Sequence, residues 1–508
     1  MSDYLYTAAE IRGIESAHKK NKPKDSLMLR AGSAVASLAS AIVKKKRGAN
    51  ILLLAGPGNN GGDAWVAAAA LKKSGQRVTV LDLSKQKQRE AAAKTAIAAY
   101  QKARGIVIST FPDDEKFDLI IDGLFGIGVT RAPEGVFADA IRRANANADR
   151  NVTPILAIDL PSGLNADTGA AFEPTIMADY TLTFLGAKPG LYTADGVDFA
   201  GEVRAESLGV VAATSDGTLL TRANIAALIP QRRNSSHKGT FGNVGIVGGA
   251  AGMIGAAVLA ARAALHMGPG KVLIGYAARD APGVYMINPE IMVRRAEELV
   301  TDESLSALAI GMGFGTDKSA PRLLQAALAN AVPMVVDADA LTIISSTPSI
   351  RAALQAKMAG KAHQAVSLIF TPHPGEAARL LGVSTGEIQA DRVTAAKSIA
   401  KKFHVITILK GAGSIIAATD GRYWINTSGN PGMASGGMGD ALSGMIASFL
   451  AQGLCALDAA RLGVFLHGAA ADQCLAHGMA PHGLTASEVI FEARTLLNSG
   501  LAAHDHGA

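Results

Sequence analysis

The chain has 508 residues, more than one hydrophobic core ordinarily organises, so two to four domains are expected. Hydrophobic residues make up 49% and charged residues 18%, which excludes a disordered polyelectrolyte, and 55 glycines beside only 5% aromatics suit an α/β nucleotide-handling fold better than an all-β sandwich. The net charge of +6 is spread over both halves without a basic tail, so nucleic acid is not implied and anionic small molecules are the attractive partners.

In chain order, the run Lys44-Lys45-Lys46-Arg47 reads as a solvated cap at a helix end. Residues 51–54 form an apolar run that ends at Gly56-Pro57-Gly58 and predicts a buried parallel strand. Residues 63–73 are Ala-rich, close at Gly75, and predict a helix. Residues 77–83 predict a strand, 85–103 a helix, and 118–122, 154–159 and 180–185 further strands. The pattern relaxes over residues 209–221, where the domain boundary is placed. A second series follows, with strands over 243–248, 308–311, 333–337, 367–370 and 405–409, then a long glycine-punctuated helical region after Asp440. Such alternation predicts two parallel, doubly wound sheets, and the tail from Leu501 is expected to fray.

Two cysteines, Cys455 and Cys474, cannot frame a chain this long with disulfides, and a reducing, cytoplasmic setting is expected. Residues 1–20 lack the apolar core of a signal peptide. Arg262, His266, Asp458 and Arg461 interrupt the most apolar stretches, so no membrane span is expected.

Three acid-and-glycine turns stand at strand ends in the first half: Gly56-Pro-Gly-Asn-Asn-Gly-Gly-Asp63, Asp122-Gly-Leu-Phe-Gly-Ile-Gly128 and Asp159-Leu-Pro-Ser-Gly163. In open α/β sheets such ends line the ligand crevice. Glycines allow close backbone approach, and the following helix N-terminus favours a phosphate. Neither a Walker A motif nor a dinucleotide-binding fingerprint is present. A plain strand–helix turn with Asp63 as N-cap is the alternative. Asn60, Asp122 and Ser162 offer hard oxygens, one carboxylate among neutral groups, which suits a monovalent cation. Asp159 is then left for proton transfer.

These motifs, with Leu27-Met-Leu-Arg-Ala-Gly32 and Gly186-Ala-Lys-Pro-Gly190, resemble the NAD(P)H-hydrate epimerase domain over roughly residues 2–211. The resemblance implies a Rossmann-like three-layer αβα domain, set at 1–214, that exchanges the C6 epimers of hydrated NADH or NADPH. It implies potassium on Asn60, Asp122 and Ser162. It puts substrate against Asn59, Asn60, Gly61, Gly62, Asp63, Gly126, Ile127, Gly128, Val129, Thr130, Arg131, Ala132 and Asp159, with Asp159 catalytic. Ala64 replaces a frequent glycine, and the 126–131 loop varies the family's usual wording.

In the second half, Asn430-Pro-Gly-Met-Ala-Ser-Gly-Gly-Met-Gly-Asp440 opens a helix. The N–H groups of residues 437–440 can hold a transferring phosphoryl group while Asp440 takes a proton from the attacking hydroxyl. Lys410-Gly-Ala-Gly-Ser414 follows a strand and reads as a nucleotide-phosphate turn, with a hairpin as the alternative. Phe370-Thr-Pro-His-Pro-Gly-Glu376 presents His373 between prolines, and Gly311-Met-Gly-Phe-Gly315 ends another strand.

These features resemble the NAD(P)H-hydrate dehydratase domain over roughly residues 221–501, and the domain order resembles the bifunctional NAD(P)H-hydrate repair family. The resemblance implies a ribokinase-like αβα domain, set at 215–508. It puts substrate against Ala256 or Ala257, Gly313, His373 and Asp440. It puts nucleotide against Lys410, Gly411, Ala412, Gly413, Ser414 and Gly439. ADP or ATP would donate the phosphoryl group with Mg²⁺, Asp440 would be catalytic, and a homo-oligomer is expected. A vitamin-precursor kinase of ribokinase-like fold, fused to a non-catalytic binding module, is the competing reading.

Overall fold

The computed structural model describes residues 3–22, 24–44, 46–84, 90–359 and 368–501. The chain divides into two compact units, Met1–Thr218 and Leu219–Ala508.

In the first unit, β1 (Tyr4–Leu5) bridges Ala187 through Leu5. Seven strands then build one sheet: β2 (Asn50–Ala55), β3 (Arg77–Asp82), β4 (Ile106–Ile108), β5 (Leu119–Gly123), β6 (Ile155–Ile158), β7 (Tyr180–Phe184) and β8 (Glu202–Glu206). Their order is β4-β3-β2-β5-β6-β7-β8, and all pairings are parallel. The strand alternation explains the layers. Ile51 and Leu53 face a helical layer with Val35 and Trp65, while Leu52 and Leu54 face another with Ile141 and Ala144. Burial on both sides is why the run is apolar at every position. Strand order reverses between β2 and β5, and the crevice at such a switch point is where ligands bind.

In the second unit, β9 (Gly217–Leu220) leads in. The sheet contains β10 (Asn243–Gly248), β11 (Lys271–Tyr276), β12 (Ile291–Arg295), β13 (Ala307–Ile310), β14 (Met334–Val336), β15 (Leu368–Phe370), β16 (Ile406–Leu409), β17 (Ile415–Ala417) and β18 (Tyr423–Asn426). The order runs β18-β17-β16-β15-β14-β13-β10-β11-β12. Strands β10 to β16 are parallel, and β16-β17-β18 form an antiparallel meander that the expected all-parallel sheet lacked. The helical region past Asp440 is three helices, Met438–Ala451, Ala456–Ala476 and Ala486–Asn498. The first is apolar on nearly every face because it is enclosed. Gly444 lets it approach the helix Ile254–His266 so closely that a Cβ would lie 2.0 Å from the Ala260 carbonyl oxygen.

Several expectations change. The helix expected over 63–73 begins at Asn59, so Gly58 is its N-cap and Asp63 lies inside it. The helix expected over 85–103 is Ala91–Lys102, and residues 85–89 lie outside the described set. Lys44, Lys46 and Arg47 are exposed just past the end of the helix Leu27–Ile42, as expected, with Lys46 also 3.0 Å from Asp118, and Lys45 is outside the described residues. The tail beyond Leu501 is outside them too. Both cysteines are free thiols. Among the described residues no helix is long and apolar enough to cross a membrane.

Candidate functional site

The first unit gathers its acid-and-glycine turns at the carboxyl ends of β2, β5 and β6. Gly56 lies against the chain after β5, where a Cβ would come 1.9 Å from the Leu124 carbonyl oxygen. Gly61 closes the same turn, since its Cβ would lie 1.9 Å from the Gly56 carbonyl oxygen. Gly62 accommodates the Met28 side chain and donates its N–H to Gly58 at 3.2 Å. These glycines are therefore explained by packing of the turn itself, and both Gly61 and Gly62 are buried.

Asp122 is wholly buried. Its Oδ1 accepts from the Ser162 hydroxyl at 2.7 Å and the Leu124 N–H at 3.1 Å, and its Oδ2 accepts from the Ser162 N–H at 2.7 Å. Burial pushes its pKa up to about 6, outweighing those hydrogen bonds. Asn60 donates to the Phe125 carbonyl oxygen at 2.8 Å, and that oxygen lies 3.4 Å from the Ser162 hydroxyl. Asn60 and Ser162 thus meet at one backbone carbonyl, and Asp122 joins them through Ser162. A buried carboxylate satisfied by neutral donors, beside a carbonyl and two neutral side-chain oxygens, fits a monovalent cation. Among the described residues no cluster of three His, Cys, Asp or Glu side chains could hold a metal.

Asp159 follows β6 in a left-handed conformation, φ 65°. Its Oδ1 meets Lys188 Nζ at 2.6 Å, Thr183 Oγ1 at 3.2 Å and the Phe184 N–H at 3.2 Å. Its Oδ2 lies 3.3 Å from where a Cβ on Gly126 would stand, and Asn60 is beside the same point. Asp63 is also buried. Loss of solvation, then the charges of Asp159, Glu15 and Glu90, raise its pKa well above the carboxylate range. Glu15 is raised too, by burial first and then by Asp159, with Lys188 opposing. The structure thus brings Asn60, Asp63, Gly126 and Asp159 into one neighbourhood. Of the 126–132 loop, Gly128, Thr130, Arg131 and Ala132 are exposed, and Val129 is tied to Asn165 by a 3.1 Å hydrogen bond.

Sequence reasoning missed Lys188 and Glu15. Lys188 lay in a quoted motif but had no role, and only the tertiary structure shows it facing Asp159. Glu15 sits on the helix Ala8–Asn21, far along the chain, with no local signal.

In the second unit the carboxyl ends of β10, β13, β14, β15 and β16 converge. The turns after β10 and β13 are joined by hydrogen bonds from Gly249 to Met312 at 2.9 Å and from Ala250 to Gly313 at 2.6 Å. Gly313 has φ 54°, and a Cβ there would stand 3.0 Å from the Ala256 Cβ. Ala256 keeps some exposed surface, whereas Ala257 has 0% exposure and is turned into the core. Of the two alanines, Ala256 is the one with surface beside Gly313.

Asp440 lies in the first turn of the helix Met438–Ala451, behind Gly437 at φ 91°. Burial and the Asp337 charge raise its pKa to about 6, while Lys410 opposes the rise. Lys410 Nζ reaches Asp337 Oδ1 at 2.7 Å, and Asp337 Oδ2 accepts from Ser443 Oγ at 2.8 Å. Burial works against the Lys410 ammonium, but Asp337, Glu376 and Asp440 outweigh it and hold its pKa above the ordinary lysine value. Gly439 leaves room for that ammonium, since a Cβ would be 3.2 Å from Nζ. Residues 410–414 are the loop of the β16–β17 hairpin, with Leu409 paired to Ile415, so the hairpin alternative describes the backbone and does not conflict with a phosphate turn. His373 caps the helix Pro374–Leu381, its Nδ1 accepting from the Gly375 N–H at 3.0 Å. Burial, then Lys410 and Arg379, lower its pKa. Asp337 and Ser443 carried no motif and were missed.

Family models agree with this division. The model described as NAD(P)H-hydrate dehydratase matches residues 244–492, and that described as YjeF-related protein N-terminus matches residues 24–190. A bifunctional NAD(P)H-hydrate repair enzyme of Coxiella burnetii is 34% identical, covering 97% of this chain and 99% of its own. That of Escherichia coli is 37% identical over 94% of this chain and 91% of its own. A crystal structure of the ADP/ATP-dependent NAD(P)H-hydrate dehydratase from Bacillus subtilis, co-crystallised with ATP/Mg²⁺, is 32% identical with a TM-score of 0.50, covering 56% of this chain and 98% of that one.

Proposed function

The chain belongs to the bifunctional NAD(P)H-hydrate repair enzymes, and from that premise we propose how its two units divide the work. The epimerase unit, residues 1–214, interconverts the two C6 epimers of hydrated NADH or NADPH. The dehydratase unit, residues 215–508, returns one epimer to the reduced dinucleotide at the expense of ADP or ATP. The observation that carries this reading is that one chain holds two separately built crevices, one around Asp159 and one around Asp440.

In the dehydratase unit, the C6 hydroxyl oxygen attacks the terminal phosphorus of the donor. Asp440 takes the hydroxyl proton, and the bond between phosphorus and the nucleotide's leaving oxygen breaks. Its raised pKa makes Asp440 a better base than an ordinary carboxylate while leaving it ionised at neutral pH. The Lys410 ammonium, fixed by Asp337, and the N–H groups at the start of the helix Met438–Ala451 meet the phosphate charge. The C6–O bond then breaks with its electron pair leaving on phosphate, C5 gives its proton to the departing phosphate, and the 5,6 double bond forms. Magnesium bound with the donor would shield phosphate charge. Co-crystallisation of the Bacillus subtilis relative with ATP/Mg²⁺ supports a nucleotide and Mg²⁺ here. Gly313, His373 and Ala256 face the hydrated ring in this reading.

In the epimerase unit, the C6 hydroxyl leaves with a proton and the ring nitrogen's lone pair stabilises the resulting cation. Water then returns from the other face, giving a proton to Asp159. Asp63, buried beside Asp159, gives a proton to the departing hydroxyl and regains one from Asp159 once water has added. Asn60, Asp122, Ser162 and the Phe125 carbonyl would hold potassium, which would supply positive charge to the buried Asp122. We place the protein in the cytoplasm as a homo-oligomer.

The test uses two variants of the whole chain. Asp440→Asn removes nucleotide-dependent recovery of the reduced-nicotinamide absorbance and leaves epimer exchange intact. Asp159→Asn leaves one epimer unrepaired. Recovery surviving in the first, or both epimers disappearing at the parental rate in the second, overturns the assignment. Accumulation of a phosphorylated product without phosphate release supports the kinase reading instead.

A further inference from the structure

Lys188 is wholly buried, with its side chain at 0% exposure. Its ammonium meets three acceptors: Asp159 Oδ1 at 2.6 Å, Thr183 Oγ1 at 2.8 Å and the Phe184 carbonyl oxygen at 2.7 Å. Every N–H of the ammonium is therefore spent at one place, on the residues that follow β6 and close β7. Removing a lysine from water costs several kcal/mol, and a buried ion pair is a poor way to gain stability. Such a pair calls for a reason other than cohesion.

The reason lies in how Asp159 uses its two oxygens. Oδ1 is anchored three times, by Lys188, by Thr183 and by the Phe184 N–H. Among the described residues Oδ2 has no hydrogen-bond partner, and it faces the gap that Gly126 leaves by having no side chain. Thr183 is held by the same ammonium, so the anchor is a closed cluster and not a single contact. The backbone of Asp159 is itself in the left-handed region, which a non-glycine residue keeps only when its surroundings hold it there. Glu15, on the helix Ala8–Asn21, and Asp63, on the helix Asn59–Lys73, both lie within electrostatic reach of Asp159.

We infer that Lys188 is the positioning residue of the epimerase site: it fixes Asp159 by one oxygen and presents Oδ2 to the C6 hydroxyl. The inference rests on the epimerase reading above. Lys188 does not touch substrate and acts through Asp159.

The experiment follows exchange of a purified epimer of hydrated NADH, without nucleotide, by the full chain and by Lys188→Met, Asp159→Asn and the double variant. Lys188→Met lowers kcat by about a hundredfold or more with KM held within about threefold, because a positioning loss falls on the reacting geometry and not on binding. The double variant is no slower than Asp159→Asn alone, within about twofold, because both changes remove one function. A Lys188→Met kcat within about threefold of the parent overturns the inference, as does a rise in KM at constant kcat, or losses that multiply in the double variant. Lys188→Met strands a buried carboxylate and can fail to fold. The double variant removes both charges, so its comparison with Asp159→Asn still decides the matter, with circular dichroism checking the fold. If the parent chain exchanges no epimers, the epimerase reading itself fails, and that is seen before any variant is made.

Discussion

Replacing Asp440 with Asn separates chemistry from stability in the dehydratase unit. Burial and Asp337 move this carboxyl from 3.8 to about 6. Between those values the folded chain binds the proton more tightly than the unfolded chain does. Stability therefore falls as pH rises through the window, and above it the ionised carboxylate costs the fold its full penalty. Two pKa units correspond to about 3 kcal/mol, and residual exposure of Asp440 discounts this to about 1–3 kcal/mol. Asparagine carries no such charge, so at pH 7 the variant melts later, by on the order of 5 °C. Its nucleotide-dependent turnover falls by roughly 10²–10⁴, the span a lost general base commands. The parent enzyme loses activity about tenfold per pH unit below about 6, because Asp440 must be ionised to accept the hydroxyl proton. The assay is recovery of reduced-nicotinamide absorbance from hydrated NADH with ADP, beside a thermal melt of both proteins. A variant that retains activity, or a parental acid limb near pH 4 instead of pH 6, refutes the reasoning.

Other outcomes follow from the same geometry. Asp337→Ala strands the Lys410 ammonium and the Ser443 hydroxyl, and it destabilises the chain by about 3–5 kcal/mol while weakening nucleotide binding, which calorimetry reads. Gly61→Ala drives a Cβ to 1.9 Å from the Gly56 carbonyl oxygen, so the turn must open; a loss of about 1–3 kcal/mol or more is expected in a denaturant titration. Asp122→Asn keeps an acceptor for the Ser162 N–H but removes the buried charge, so epimer exchange falls and no longer responds when potassium replaces a bulky organic cation in the buffer.

The strand ends were legible because parallel strands buried on both faces are continuous apolar runs, and because glycine turns at their ends punctuate them. Asp122, Asp159 and Asp440 stood in those turns and could be read as chemistry. The helix start at Asn59 was not readable, because two glycines weaken local helix propensity. They are tolerated there because close packing of the turn leaves no space for a Cβ at Gly61. The strands Ile415–Ala417 and Tyr423–Asn426 are too short for a period to emerge, so the antiparallel edge was missed. The difference in burial between Ala256 and Ala257 needed the helix rotation, which turns Ala257 to the core. Lys188, Glu15, Asp337 and Ser443 matter through partners distant in sequence. A lone lysine, acid or serine has no local pattern that announces such a partner.

The most direct test gives the whole chain a mixture of both epimers of hydrated NADH, with and without ADP and Mg²⁺, and follows each epimer separately. The account predicts that both epimers are consumed with nucleotide present, with release of phosphate and recovery of the reduced ring. Without nucleotide the epimers exchange and nothing is recovered. Consumption of one epimer only, or recovery that needs no nucleotide, contradicts it.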